Sequence, residues 1–198
     1  MKRLLLTLLL GTFFVSTSIA GTIKDGKGRG FEAEVNPEQQ LAVAAVTETS
    51  LEHESEENSQ SYNWSSDSVN PAQDDTVLLL KNTSDTNLHI EYVIISGSTT
   101  SEYTIHLPTT EVTPTGGTTV TGTNLNTGGK ANVAEATATS LETNNSQGNV
   151  LGSPFVLADT PYFWPLPGVI LGKNKSIGVD VVANTTLSAV TIVGHYED

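Results

Sequence analysis

Apolar and polar residues alternate with a period of two along most of the chain after residue 76. Leu88, Ile90, Tyr92 and Ile94 alternate with His89, Glu91, Val93 and Ile95, which predicts one strand with two faces. The continuous apolar run Val77, Leu78, Leu79, Leu80 precedes it across the turn cluster NTSDTN (82–87), so the two segments read as an antiparallel hairpin. YTIHL (103–107) is the next strand and ends at Pro108. A short strand around residues 118–121 follows the turn TPTGG. After the turn NLNTGG comes a segment with Ala131, Val133 and Glu135 on one side and Asn132, Ala134, Ala136 and Ala138 on the other. Residues 142–152 read as a loop. Apolar stretches at 154–157, 162–166, 169–171, 177–182 and 187–196 complete the series. Pro161, Pro165 and Pro167 suit the stretch at 162–166 to an edge strand or an ordered loop. Roughly eight to ten short strands at about ten-residue spacing, without a long amphipathic helix, predict an all-β protein. The expected architecture is an antiparallel two-sheet sandwich of jelly-roll type. Leu88/Ile90/Tyr92/Ile94 and Leu187/Ala189/Thr191/Val193 are the inward sets such a core needs.

The N-terminal part is different. Lys2 and Arg3, an apolar stretch from Leu4 to Val15, and the small residues STSIA before Gly21 have the form of a secretory signal peptide over residues 1–20. An uncleaved anchor is the other reading, but the apolar part is short for a span of about 20 residues. The Gly-rich leader GTIKDGKGRG (21–30) contains G-x-G spacings. It lacks the strand before and the helix after that a phosphate loop requires. Phe31, Ala33 and Val35 alternate with Glu32 and Glu34, a half-buried strand pattern. Pro37 ends it, and Leu41, Val43 and Val46 lie in a second short apolar run. Residues 50–75 are acidic and without periodicity, so they read as a long flexible loop. The expected organisation is therefore a signal peptide (1–20), an extended N-terminal arm with an acidic loop (21–75) and a sandwich domain (76–198).

Composition sharpens this picture. The chain has 198 residues, 28 of them Thr, and Thr favours strands. With no cysteine, disulfides, thiolate metal sites and cysteine nucleophiles are excluded. A net charge of −13, or −15 without Lys2 and Arg3, excludes sequence-independent binding to a nucleic-acid backbone. Stability must come from packing and sheet hydrogen bonds.

Candidate chemistry is sparse. His89 and Glu91 share a strand face, and with His106 on a neighbouring strand they would make a metal-dependent site. Glu52, His53, Glu54, Glu56 and Glu57 form an acidic run that is more simply a solvated segment than a cation site. There is no G-x-S-x-G elbow, and carboxylates pair only as sequence neighbours such as Asp74 and Asp75, so no catalytic residues and no metal or other cofactor are assigned. N-x-S/T sequons stand at Asn63, Asn82, Asn144, Asn174 and Asn184. Tyr162, Phe163 and Trp164 form an aromatic cluster suited to stacking on a sugar, burial in a neighbouring subunit, or ordinary packing.

Two stretches carry a resemblance. GKGRGFEAEVNPEQQLAVAAVT (26–47), and VLLLKNTSDTNLHIEYVIIS (77–96) through TPTGGTTVTGTNLNTGGKANVAEATA (113–138), resemble small structural proteins of tailed-phage virions. The resemblance implies a jelly-roll-like building block of a particle or fibre, although such proteins usually assemble in the cytoplasm and this chain carries an export signal. The expectation is a non-enzymatic exported structural protein that self-assembles or decorates a virion, fibre or cell surface. Its partners would be its own copies or neighbouring subunits. Phe31, Ala33, Val35, Leu41, Val43 and Val46 would form an arm that pairs with a neighbour or with its own subunit's edge. The alternative is a secreted carbohydrate-binding module that uses Tyr162, Phe163 and Trp164. Neither reading involves a membrane span after cleavage.

Overall fold

The computed structural model describes residues 23–24, 32–35, 41–42, 49–55, 60–114, 116–126, 134–143, 148–183 and 187–197. The chain divides into two compact units, Met1–Thr47 and Glu48–Asp198. The first holds a three-stranded antiparallel sheet of β1 (Ile23–Lys24), β2 (Glu32–Val35) and β3 (Leu41–Ala42), with β2 in the middle. Ala33 lies opposite Ile23, and Val35 opposite Leu41. The alternation around Ala33 and Val35 thus becomes a strand. Residues 1–20, read from sequence as a signal peptide, and Phe31, Val43 and Val46 lie outside the described residues.

The second unit opens with a single helical turn, α1 (Ser50–His53). It continues with β4 (Ser61–Ser65), β5 (Thr76–Asn82), β6 (Asn87–Gly97), β7 (Ser101–Leu107), β8 (Thr118–Val120) and β9 (Thr123–Asn124). Then come β10 (Ala136–Glu142), β11 (Asn149–Gly152), β12 (Phe155–Val156), β13 (Tyr162–Leu171), β14 (Ser176–Val181) and β15 (Ser188–Glu197). They build two antiparallel sheets. One runs β11-β7-β14-β5-β10-β8, with β12 also on β7; the other runs β13-β6-β15-β4-β9. Both contribute to one apolar core. Leu78, Leu80, Tyr103, Ile105, Ile177 and Val179 come from the first sheet, and Trp64, Leu88, Ile90, Val93, Ile95 and Ile192 from the second. Inside it, the Tyr103 hydroxyl lies 2.7 Å from Ser188 Oγ and links the sheets.

The pairings have a nested order. β4 pairs with β15, β5 with β14, β6 with β13, and β7 with β11 and β12. Successive pairs alternate between the sheets. β8, β9 and β10 form the excursion between β7 and β11 and extend the far edges of both sheets.

Three expectations are corrected. Val77–Leu80 and the following strand are not a hairpin, because β5 and β6 belong to different sheets. All five residues from Thr76 to Leu80 are buried, so β5 is apolar on both faces and needs a cover on each. The inner face is the core. Over the outer face, where Leu79 is fully buried, runs the chain leaving β7: Glu111 reaches Lys81 Nζ at 2.7 Å, Val112 is buried, and the Gly117 N–H meets the Glu142 carboxylate.

The inward sets also differ. Glu91 is an extra residue in β6 against β15, where Tyr92 and Ile90 face the adjacent Val193 and Gly194; on the other side Tyr92 and Ile90 face Pro165 and Val169, so β13 bulges there by Leu166, Pro167 and Gly168. A β-bulge of this kind shifts the alternation by one. Leu88 and Ile90 point inward, but beyond the bulge Val93 and Ile95 do so, while Tyr92 and Ile94 are only half-buried. On β15 the inward residues are Ser188, Val190 and Ile192, one place out of step with the expected Leu187/Ala189/Thr191/Val193.

Finally, residues 50–75 are not a loop throughout. They supply α1 and β4, and Trp64 is wholly buried in the core. Tyr62 and Trp64 face inward while Ser61, Asn63 and Ser65 face outward, a short alternation that the surrounding acidic and polar residues hide.

Candidate functional site

Six of the nine exposed large apolar side chains among the described residues are Val150, Phe155, Leu157, Tyr162, Phe163 and Ile170. They gather on β11, β12, β13 and their connections, where both sheets end. The exposure is high: 64% at Phe155, 60% at Leu157 and 56% at Phe163. Residues 148–171 carry one charged side chain, Asp159, in a chain with 31. Val150 and Phe155 lie on the outer face of one sheet edge, and Phe163 and Ile170 on the outer face of the other, so both edges of this end carry exposed apolar side chains with almost no charge.

The aromatic cluster divides over this rim. Tyr162 and Trp164 stand opposite Ile95 and Val93, on the inward side of β13, whereas Phe163 stands opposite Ile94 and packs its ring 4.8 Å from Tyr92 on the outside. Trp164 is half-buried against the core and lies over Gly152 of β11, where a β-carbon would collide with its ring. It therefore closes the gap between the two sheet edges. Its ring meets that of Tyr162 at 62°, so the pair offers no flat platform. Pro165 and Pro167 remove two backbone donors from the edge strand β13, and the register shifts between Pro165 and Val169. Strand addition there is blocked along its middle, leaving side-chain packing as the mode of contact.

The histidines do not assemble as expected. His106, on β7, is in the other sheet from His89; it is fully buried with Nδ1 3.2 Å from Asp180 Oδ2. His89 instead faces His195 across the β6–β15 ladder, their rings stacked at 5.2 Å. His89 Nε2 lies 3.1 Å from Glu197 Oε2, and His195 Nδ1 lies 3.1 Å from Glu91 Oε1. Burial pushes the His195 imidazole below its usual pKa against the opposing pull of Glu91. Sequence reading missed His195 because its partner on β6 is fixed only by long-range pairing.

The acidic run divides as well. Glu52 closes a capping box on α1: its carboxylate accepts from the Thr49 N–H at 2.9 Å, and Thr49 Oγ1 accepts from the Glu52 N–H. The Thr49 N–H and the Thr49 hydroxyl, which both donate to its carboxylate, hold that carboxyl below the ordinary pKa. Glu54 is buried, and Glu56 and Glu57 lie outside the described residues. The sequon at Asn82 is closed to modification in the folded chain, because its side chain is fully buried and donates to the carbonyls of Thr86 and Leu171.

Two cavities of about 270 Å³ each open on the surface. One is lined mostly by Ser and Gly with Asp159, the other by Ser, Thr and Asn with Asp67. Among the described residues, neither lining has a histidine, a lysine or paired carboxylates. Among the described residues, no helix is long and apolar enough to cross a membrane. No protein-family model matches the chain, and no curated protein or solved structure matches it either.

Proposed function

We propose that this chain is a non-enzymatic, exported structural protein of jelly-roll type. It packs against further copies of itself to build or decorate a virion, fibre or cell surface. The observation that carries the reading is the rim of Val150, Phe155, Leu157, Tyr162, Phe163 and Ile170. A second copy is the partner that best suits it. Two chains each carrying a net −13 repel one another over most of their surface, and the rim is a stretch where contact brings few like charges together.

The jelly-roll assignment is supported by the nested pairing. Folding one antiparallel ribbon, β4 to β7 against β15 to β11, over itself yields the sheet orders β4-β15-β6-β13 and β5-β14-β7-β11. β2 lies between β1 and β3 in its own sheet, so an arm contribution to assembly is assigned to the edge strands β1 and β3. The carbohydrate-binding alternative is less well served, because Trp164 covers Gly152 and Phe163 points to the other face of β13.

The test is sedimentation velocity and electron microscopy of the purified protein over a concentration series. Concentration-dependent oligomers, filaments or shells are expected. The Phe155→Ser/Phe163→Ser double variant should shift the series to monomer with unchanged thermal stability. A wild-type protein that stays monomeric at every concentration overturns the proposal, and glycan-dependent quenching of Trp164 fluorescence would then favour the binding module.

A further inference from the structure

We propose that His89, His195 and Glu197 form a binding site for a divalent transition-metal ion of the zinc class on the outer face of the five-stranded sheet, with Glu91 as the residue that orients His195. One ligand atom from each of the three lies within 4.8 Å of the others. His89 Nε2 and Glu197 Oε2 are 3.1 Å apart. Two ligands of a tetrahedral zinc ion stand about 3.3 Å apart when the bonds are about 2.0–2.1 Å. The pair is therefore already at coordination spacing.

The backbone explains the gathering. His89 and His195 are directly opposed in an antiparallel ladder, and Glu197 follows His195 by two residues on the same face. Opposed and diagonal positions on one face of a ladder are within side-chain reach. The site is thus held on two paired strands of the sheet.

A second observation points to a ligand. The His195 side chain is 1% exposed, and neither of its ring nitrogens has a hydrogen-bond partner among the described residues. A buried ring nitrogen without a partner costs free energy that a metal bond would offset. Nδ1 of the same ring faces Glu91. A carboxylate this close to the ring orients it by charge, and the unpartnered ring leaves a nitrogen lone pair for a ligand. Two imidazoles with a carboxylate select zinc-like ions over calcium or magnesium, which prefer all-oxygen shells.

The test uses the full chain, stripped with chelator and titrated with Zn²⁺ by calorimetry at pH 7.5. Saturable binding of one ion per chain is expected, with a rise in thermal midpoint and no comparable effect of Ca²⁺. His89→Gln and Glu197→Gln change exposed or partly exposed side chains and should leave the circular dichroism unchanged while binding is lost. Glu91→Gln should weaken it by about 10–100-fold. His53→Gln should bind as the wild type does. Imidazole ¹⁵N chemical shifts of His89 and His195 should move together on adding Zn²⁺. Absence of saturable binding by the wild-type chain, or unchanged affinity in His89→Gln, overturns the proposal.

Discussion

The Asn82 side-chain amide donates a 2.8 Å hydrogen bond to the carbonyl of Leu171, 89 residues further along the chain. Its second donor goes to the carbonyl of Thr86, and its oxygen accepts from the Ser84 N–H. The Asn82 backbone adds bonds to Lys175 and Asn174. One buried amide thus ties the β5–β6 connection to the β13–β14 turn. Replacing it by Ala removes three side-chain bonds and leaves buried backbone groups unmatched. Asn82→Ala should destabilise the protein by about 2–4 kcal/mol. Urea unfolding should show a lower midpoint with an unchanged slope.

His106 and Asp180 form a second buried pair, and Gly178 is the residue that makes room for it. A β-carbon at Gly178 would lie 2.7 Å from both Cε1 and Nε2 of His106. Gly178→Ala should cost about 1–3 kcal/mol, the usual range for overpacking. Asp180→Ala leaves the His106 ring buried without its neighbour and should cost about 1–3 kcal/mol. If the two variants unfold at the same denaturant concentration as the wild type, the pair is not structural.

Much of the sandwich was legible because the strands alternate and the turns carry Gly, Asn and Pro. Pro161, Pro165 and Pro167 point to an edge strand or an ordered loop, and β13 is an edge strand. What remained hidden depended on partners distant in sequence. Glu91 bulges because β15 skips it, and nothing in LHIEYVII marks the slip. Trp64 lies in a polar stretch, and its burial follows from pairing with Ile192, 128 residues away. The apolar rim was visible only in part. Tyr162 and Phe163 stood out as aromatics, but Val150, Phe155 and Leu157 become a surface only when β11 and β12 take the edge of their sheet.

The division of the chain at Thr47 and Glu48 gives a clean truncation. The second unit contains its own core of buried residues from Tyr62 to Tyr196. Deleting residues 21–47 should leave the thermal midpoint and the far-ultraviolet spectrum of that unit unchanged. If β1 or β3 pairs with a neighbouring copy, the truncated protein should remain soluble and lose extended assemblies while the rim still supports small oligomers. Assembly identical to that of the untruncated protein would assign the arm no role between subunits.

Tyr62 and Tyr196 meet edge to face, with ring centroids 5.9 Å apart and both side chains buried. Burial raises the pKa of each phenol above its ordinary value, with Glu135 adding to the effect on both. A phenol whose folded pKa is raised keeps its proton in the native state after the unfolded chain has released it. Its contribution is fully present below the unfolded pKa of about 10 and is lost as pH rises above it. Each such group should reduce stability by up to about 1.4 kcal/mol per pH unit in that window. Chemical denaturation in chelator-containing buffer from pH 8 upward should show a plateau and then a steep fall beginning near pH 10. Tyr62→Phe should keep most of the packing and make the fall shallower. An unaltered slope in that variant would mean that Tyr62 ionises equally well in the folded chain, which its burial beside Trp64 and Tyr196 argues against.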